Sequence, residues 1–253
     1  MHALSLPLSH DAIASLERAT LDAVAPLAIH EMDGWLLPFD NSTISRAKSA
    51  VPLCHDNLNA ACISQIEAMY AERNLPAAFR VADVPSLANI HAELRRLGYA
   101  AQQPSLVQVG TVQQMRSICQ GPAAVVSDTP TTQWSDLYVA PGFDSVDGAH
   151  RVQALSRSRH VVYASVQEAG LPIAAGTASL SQGWASIHGM RTVLQQRGRG
   201  LAARVMAGLA DTATARGLDR VFLQVEEQNS AAVALYRRAG FTTAWRYHYW
   251  RRN

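Results

Sequence analysis

Met190-Arg-Thr-Val-Leu-Gln-Gln-Arg-Gly-Arg-Gly-Leu-Ala-Ala203 is the stretch on which the reading of this chain turns. A β-rich run ends at Thr192-Val193, and from Gly200 onward Leu201, Val205, Met206 and Leu209 recur at helical spacing. That pattern makes Arg197 to Ala202 the turn between a strand and a helix. The first turn of a helix presents four backbone N–H groups without intrahelical acceptors, at the positive end of the macrodipole. Gly198 and Gly200 leave room for a ligand to touch that backbone, and Arg197 and Arg199 add charge, so an anion is expected here. The spacing is not that of the dinucleotide fingerprint, which needs three glycines and an acidic residue about 20 positions on, and it lacks the Gly-Lys-Ser/Thr end of a P-loop.

Arg197-x-x-Gly200-x-Ala202 resembles the Gln/Arg-x-x-Gly-x-Gly/Ala pyrophosphate loop of the GNAT superfamily of acetyl-CoA-dependent N-acetyltransferases. The downstream context strengthens the resemblance: a strand Val221-Phe-Leu-Gln-Val225, then Glu226-Glu-Gln-Asn-Ser, a helix from Ala231 to Ala239 carrying Leu235-Tyr236, and Gly240-Phe241. It covers residues 130–253. Leu194 stands where the family usually has proline, a departure of little weight because backbone groups do the binding. The resemblance implies an α/β fold with a mixed sheet, acetyl-CoA as cosubstrate and a small-molecule or peptide amine as acceptor. Leu201 and Ala202 complete the pyrophosphate cradle, while Thr192 and Val193 are expected to offer backbone groups to the pantetheine arm and the thioester carbonyl.

The whole chain fits an ordinary globular protein. Its 253 residues are 48% hydrophobic, enough for one large or two ordinary domains. Lys+Arg 22 against Asp+Glu 20 leaves +2, too balanced for a general nucleic-acid binder. No run of about 18 apolar residues occurs and the N-terminus lacks a basic region before its short apolar patch, so neither a membrane span nor a secretory signal is expected. Cys54, Cys62 and Cys119 show no metal spacing and fit reduced thiols, consistent with a cytoplasmic protein that needs no metal. A homodimer is left open.

In chain order, residues 11–30 read as a helix interrupted at Pro26, and 35–39 and 44–53 as strands. A helix follows from Leu58 to Asn74, then a strand at 77–81, a helix through Leu94 to Gly98 and a strand at 105–109. This order repeats later. Asn74 corresponds to Gly217 and Gly98 to Gly240, at offsets of 143 and 142, which indicates an internal duplication. The chain is therefore read as two tandem GNAT-like units, residues 1–125 and 126–253, with Gly121 to Pro130 as linker. Val51-Pro-Leu-Cys-His-Asp-Asn-Leu58, the counterpart of the loop, has no glycine pair, so the first unit is expected to be degenerate. It covers the second unit's sheet and shapes the acceptor pocket, or is scaffold alone. The second unit opens with a strand at 134–139 and a helix at 146–156. Three strands of a meander follow, the last leading into the loop.

Acetyl transfer needs a held pyrophosphate, a polarised carbonyl, an unprotonated amine and an acid for the departing thiolate. Asn229 can cap the helix after it, and the family uses an asparagine here on the cofactor. Tyr236, two turns on, is by resemblance the acid, against the alternative of a core tyrosine. For the base, Trp184, Ser186, His188 and Met190 share a strand face by alternation, and the glutamate some family members place there is absent. His188 is the first candidate, Glu226 the second, and water-mediated deprotonation stays open. With no cysteine after Cys119, direct attack of the amine in a ternary complex is simpler than an acyl-cysteine intermediate. An acyl-CoA-binding sensor or assembly module is the alternative reading of the same loop.

Overall fold

A computed structural model describes residues 8–252. In chain order the elements are α1 (His10–Val24), β1 (Ala28–Met32), β2 (Trp35–Phe39), β3 (Val51–Pro52), α2 (Cys62–Ala71), β4 (Phe79–Ala82), α3 (Ala88–Arg96) and β5 (Ala100–Thr111). After them come α4 (Val112–Ser117), β6 (Val125–Ser127), α5 (Thr132–Asp136), α6 (Ser145–Arg157), β7 (Val161–Glu168), β8 (Leu171–Ser181) and β9 (Trp184–Thr192). The last four are α7 (Leu201–Ala215), β10 (Arg220–Glu226), α8 (Ser230–Arg238) and β11 (Thr242–Arg251).

The duplication is legible in these boundaries. α3 and α8 correspond residue for residue at an offset of 142 (88 to 230, 96 to 238), and β5 and β11 start at the same offset. The two halves nevertheless do not form separate sheets. β1, β2 and β3 make a small antiparallel sheet, while all other strands join one eight-stranded sheet ordered β4-β11-β5-β10-β9-β8-β7-β6. β5 of the first half is inserted between β10 and β11 of the second, antiparallel to both, and β11 lies between β5 and β4. The exchange is reciprocal: Ala100 pairs with Arg251 and Val109 with Thr242, two pairs that interconvert under the 142-residue offset.

Among the described strands of the eight-stranded sheet, β9 and β10 are the neighbours that run parallel, the expected outcome of the helical crossover through α7. One face of the sheet, presenting Ile187, Val221 and Leu223, packs against α4, α7 and α8 through Met115, Val205, Leu209 and Tyr236. α1 covers the other face. Its Ser15 accepts from the Trp184 indole (2.9 Å), Thr20 is bonded by Gln224 (2.9 Å), and Glu17 takes both terminal nitrogens of the buried Arg80 (3.0 and 2.5 Å). A buried carboxylate and guanidinium satisfy each other here, and removing either would strand the other charge, at a cost of several kcal/mol, about 3–5.

Four segments differ from their sequence reading. Residues 134–139 are helical: Thr131 caps α5, a 3-10 turn follows, and Trp134, Leu137 and Tyr138 are buried together at i, i+3, i+4. Their aromatic and branched character mimicked a strand, but the spacing is that of a helix face. In 44–53 a 3-10 turn over Ser45–Lys48 replaces most of the expected strand, leaving only β3. The helix expected to 30 stops at Val24, with Ala25 left-handed before Pro26, and 28–32 is β1. Within 121–130 the segment Val125–Ser127 is the sheet's edge strand, paired with β7, so the division at 125/126 falls inside β6.

Candidate active site

β9 and β10 pair only from Ala185 to Ile187 and from Val221 to Leu223, yet β9 continues to Thr192 and β10 to Glu226. Beyond the last pair the strands part, and the cleft between them is where the loop, α8 and the other residues of interest meet. A glycine bulge marks the parting. Gly189 has φ +61, a conformation β-carbon-bearing residues avoid, and its carbonyl accepts from Tyr138 Oη at 2.5 Å. The bulge flips the alternation. Trp184 and His188 pack on the α1 side with Phe222, whereas Met190 packs with the α7 side, so the face expected to hold all four residues holds three.

The cleft divides into two cavities. A groove of about 570 Å³ is lined by Met190, Arg191, Thr192, Gln196, Arg197, Gly198, Gly200, Leu201, Ala202, Ala203, Asn229, Leu235 and Tyr236, with Ala231, Ala232 and Arg238. Gly198 and Gly200 have φ +79 and +73, and a Cβ at either would meet no protein atom within 4 Å, so the space beside them is open to a ligand. Gly200 caps α7 without any side-chain hydrogen bond to the first turn, leaving its amides turned outward. The loop thus fits a pyrophosphate by its backbone. Two expected contributors are engaged elsewhere. Arg199 pairs with Glu168 (2.9 and 2.7 Å) and also bonds Gln196, because the exposed carboxylate at the end of β7 is its nearest counter-charge. Val193 donates its N–H to Ile173 (3.1 Å) and packs on the Trp134 cluster, which leaves Thr192 facing the groove.

The second cavity, about 350 Å³, lies on the α1 side. Its lining joins His188, Gln224, Glu226, Tyr247 and Tyr249 of the shared sheet to Thr43, Ser45, Arg46, Gln103 and Ser105 of the first half and Arg151 of α6. Asn229, Met190, Arg191, Ala232 and Tyr236 line both cavities, so this is where they join. Asn229 caps α8 by accepting from Ala232 N–H at 3.2 Å, as its position suggested. Tyr236 is 8% exposed, and among the described residues no protein group bonds its hydroxyl. Burial pushes that phenol up to about 12, so it stays protonated at neutral pH.

His188 and Glu226 are both brought to this cavity. Glu226 is exposed and accepts from Gln103 at 2.7 Å. His188 is 4% exposed with neither ring nitrogen bonded, and burial, with Arg46 and Arg151 nearby, holds its pKa well below the usual imidazole value. It is a neutral ring with one free donor and one free acceptor, a weak base suited to hold a ligand. The sequence reading missed Arg46, Arg151, Gln103, Ser105, Tyr247 and Tyr249. None carries a local motif, and only the strand exchange and the fold of residues 43–48 over the sheet bring them together.

The family model described as "Probable histone acetyltransferase Rv0428c C-terminal" matches residues 11–250. The chain belongs to this family. It is a GNAT-type acetyltransferase, and relatives agree with the fold seen here. An "Uncharacterized N-acetyltransferase YobR" of Bacillus subtilis is 25% identical over 200 residues, 73% of this chain and 76% of that protein. A mycothiol acetyltransferase of Salinispora arenicola is 58% identical over 48 residues, 19% of this chain and 16% of that protein. Among solved structures, a GCN5-related N-acetyltransferase from Kribbella flavida superposes with TM-score 0.69 at 14% identity, covering 95% of each chain. A tandem GNAT protein from the clavulanic acid biosynthesis pathway gives TM-score 0.61 at 14% identity, covering 97% of this chain and 96% of that one. At such identities these structures speak to the fold, and the second has the tandem arrangement expected from the duplication. No helix among the described residues is long and apolar enough to cross a membrane.

Proposed function

We propose that the protein moves an acetyl group from acetyl-CoA to a primary amine by direct attack within a ternary complex. The observation that carries this reading is the position of Tyr236, at the meeting point of the glycine-lined groove and a separate polar cavity, with its hydroxyl bonded by no group among the described residues. The amides of Leu201 to Ala203 and the side chain of Arg197 hold the pyrophosphate, and Thr192 and Asn229 face the arm of the cosubstrate. The amine enters from the α1 side. Its nitrogen attacks the thioester carbon, the C–S bond breaks, and the electron pair leaves on sulfur beside Tyr236.

A phenol near 12 cannot give its proton away fully at low cost. Relative to a thiol near 8.5, complete transfer is uphill by about 3.5 decades, roughly 5 kcal/mol. Tyr236 therefore acts chiefly as a hydrogen-bond donor to the developing thiolate. The attacking amine loses its proton to Glu226 through solvent, Glu226 being the solvent-accessible one of the two candidates, while the buried His188 positions the acceptor. Residues 1–125 and 126–253 are read as duplicated units that share one sheet and one active site, only the second holding the cosubstrate. Just after the counterpart of the loop, Asn59 Oδ1 accepts from Ala61 N–H (3.0 Å) ahead of α2, so a side chain occupies an amide at that helix start, unlike at Gly200.

The test is release of free thiol from acetyl-CoA by the purified protein with a panel of amines, together with calorimetry. One acetyl-CoA per chain and amine-dependent thiol release are expected. Tight binding without release for any amine would instead make the protein a binding module, and a stoichiometry of two would make the first unit a working site.

A further inference from the structure

The acceptor cavity carries more positive charge than its own carboxylates neutralise. Arg151 and Arg191 share one carboxylate, Asp147, at 2.6 and 2.9 Å, and Asp147 also accepts from Thr43 at 2.9 Å. Arg46, on the 3-10 turn of the first half, has no ion pair among the described residues, and its Nε is buried without a hydrogen-bond partner. A partly buried guanidinium without a partner costs free energy unless a ligand supplies the counter-charge. Facing the same cavity, His188 is also buried with both ring nitrogens unbonded. Glu226 is held by Gln103.

We propose that the acceptor is a small amine bearing an acid group, a carboxylate or a phosphate, and that Arg46 is the residue that reads that group, with Arg151 and His188 beside it. This rests on the acetyl-transfer reading above for the location of the amine. Arg46 is a specificity residue and does not act on the reacting atoms. The charge arrangement explains the selection. A bidentate guanidinium bond satisfies Arg46 and the acid together, whereas a neutral or dicationic amine leaves Arg46 desolvated and unpaired. The cavity volume, about 350 Å³, suits a small molecule.

The experiment compares three pairs of amines with the full-length protein: 4-aminobutanoate against 4-aminobutanamide, glutamate against glutamine, and 3-aminopropyl phosphate against 3-aminopropanol. Thiol release and calorimetric binding in the presence of CoA are measured for wild type, Arg46→Gln and Arg46→Lys. At least one acid-bearing member should be preferred tenfold or more, in KM or Kd. Arg46→Gln should abolish the preference, Arg46→Lys should restore part of it, and the acetyl-CoA affinity should not move. The pair that discriminates tells carboxylate from phosphate. Equal affinity within every pair, preference for the neutral members, no binding of any acid-bearing amine at millimolar concentration, or an unchanged preference in a folded Arg46→Gln would overturn the proposal. Arg46-dependent binding without thiol release would uphold it while removing the transfer reading, and thiol release with neutral amines alone would do the reverse.

Discussion

Replacing Tyr236 by phenylalanine removes one oxygen from the point where the two cavities join, and the structure lets the effect be sized. The hydroxyl has no partner among the described residues, so its loss breaks no hydrogen bond seen in the fold, and the ring keeps its contact with Phe241 (centroids 5.9 Å apart). Stability should stay within about 0.5 kcal/mol of wild type. On the proposed acetyl-transfer reading, catalysis loses a donor to a developing thiolate. A hydrogen bond to a charged group is worth about 1.5–3 kcal/mol, so kcat should fall by about 10- to 100-fold. Complete proton transfer would predict a larger loss, but a phenol near 12 argues against it. The assay is thiol release at saturating acetyl-CoA and amine, with thermal unfolding of both proteins as control. A fall in kcat and kcat/KM by the same factor, at constant acetyl-CoA affinity, marks an interaction made only in the transition state. Undiminished kcat in the folded variant would refute the reasoning.

Gly200→Val places a branched side chain in the open space beside the loop, in a backbone conformation (φ +73) that valine resists; calorimetry should show acetyl-CoA affinity reduced at least tenfold, about 1.4 kcal/mol, and unchanged binding in a folded variant would remove the loop assignment. Acid should destabilise the protein through its buried His188 and half-buried His55: desolvation lowers His188 far below its ordinary value and His55 to about 4. Both rings are neutral in the folded chain but take up a proton near 6.5 when unfolded, so stability is intact above that pH and falls as pH is lowered from there toward 4. Each decade is worth about 1.4 kcal/mol per ring, so His55 alone contributes a loss of about 2 kcal/mol by pH 5 and His188 adds to it; denaturant titrations should show a fall of at least about 2 kcal/mol between neutral pH and pH 5, and a flat profile would contradict the burial. Residues 126–253 expressed alone should not yield a native domain, because β10 and β11 would lose β5 between them and β11 would also lose β4; a soluble fragment with cooperative unfolding would show the units to be separable.

The geometry of the loop at Gly200 was legible because it is local: two glycines, a helix start and a strand end lie within about ten residues, and backbone geometry there depends little on the rest of the chain. The placement of Tyr236 and Asn229 was legible for the same reason, since a cap and a position two turns later are fixed by one helix. Errors came where a residue's surroundings are set from afar. Val193 faces Ile173 of β8, and Arg199 is taken by Glu168 of β7, partners supplied by the meander. The alternation that grouped Met190 with His188 held up to Gly189, whose bulge no period-two rule anticipates. The linker reading of 121–130 rested on Pro and Gly punctuation, which an edge strand tolerates.

The acceptor cavity shows most clearly why one half of the sequence could not disclose the site. A duplication whose copies fold apart would leave each pocket to its own residues. Here β5 completes the sheet of the second half, carrying Gln103 and Ser105 to the cavity, and the turn holding Thr43 to Arg46 closes it from above β9. The first half has no glycine pair at its counterpart of the loop but supplies Thr43, Ser45, Arg46, Gln103 and Ser105 to the lining of the cavity that the proposed reading gives to the acceptor. Changes at Arg46 or Gln103 should therefore alter which amine is used while the loop at Gly200 continues to bind the same cosubstrate, a division of labour the strand exchange imposes.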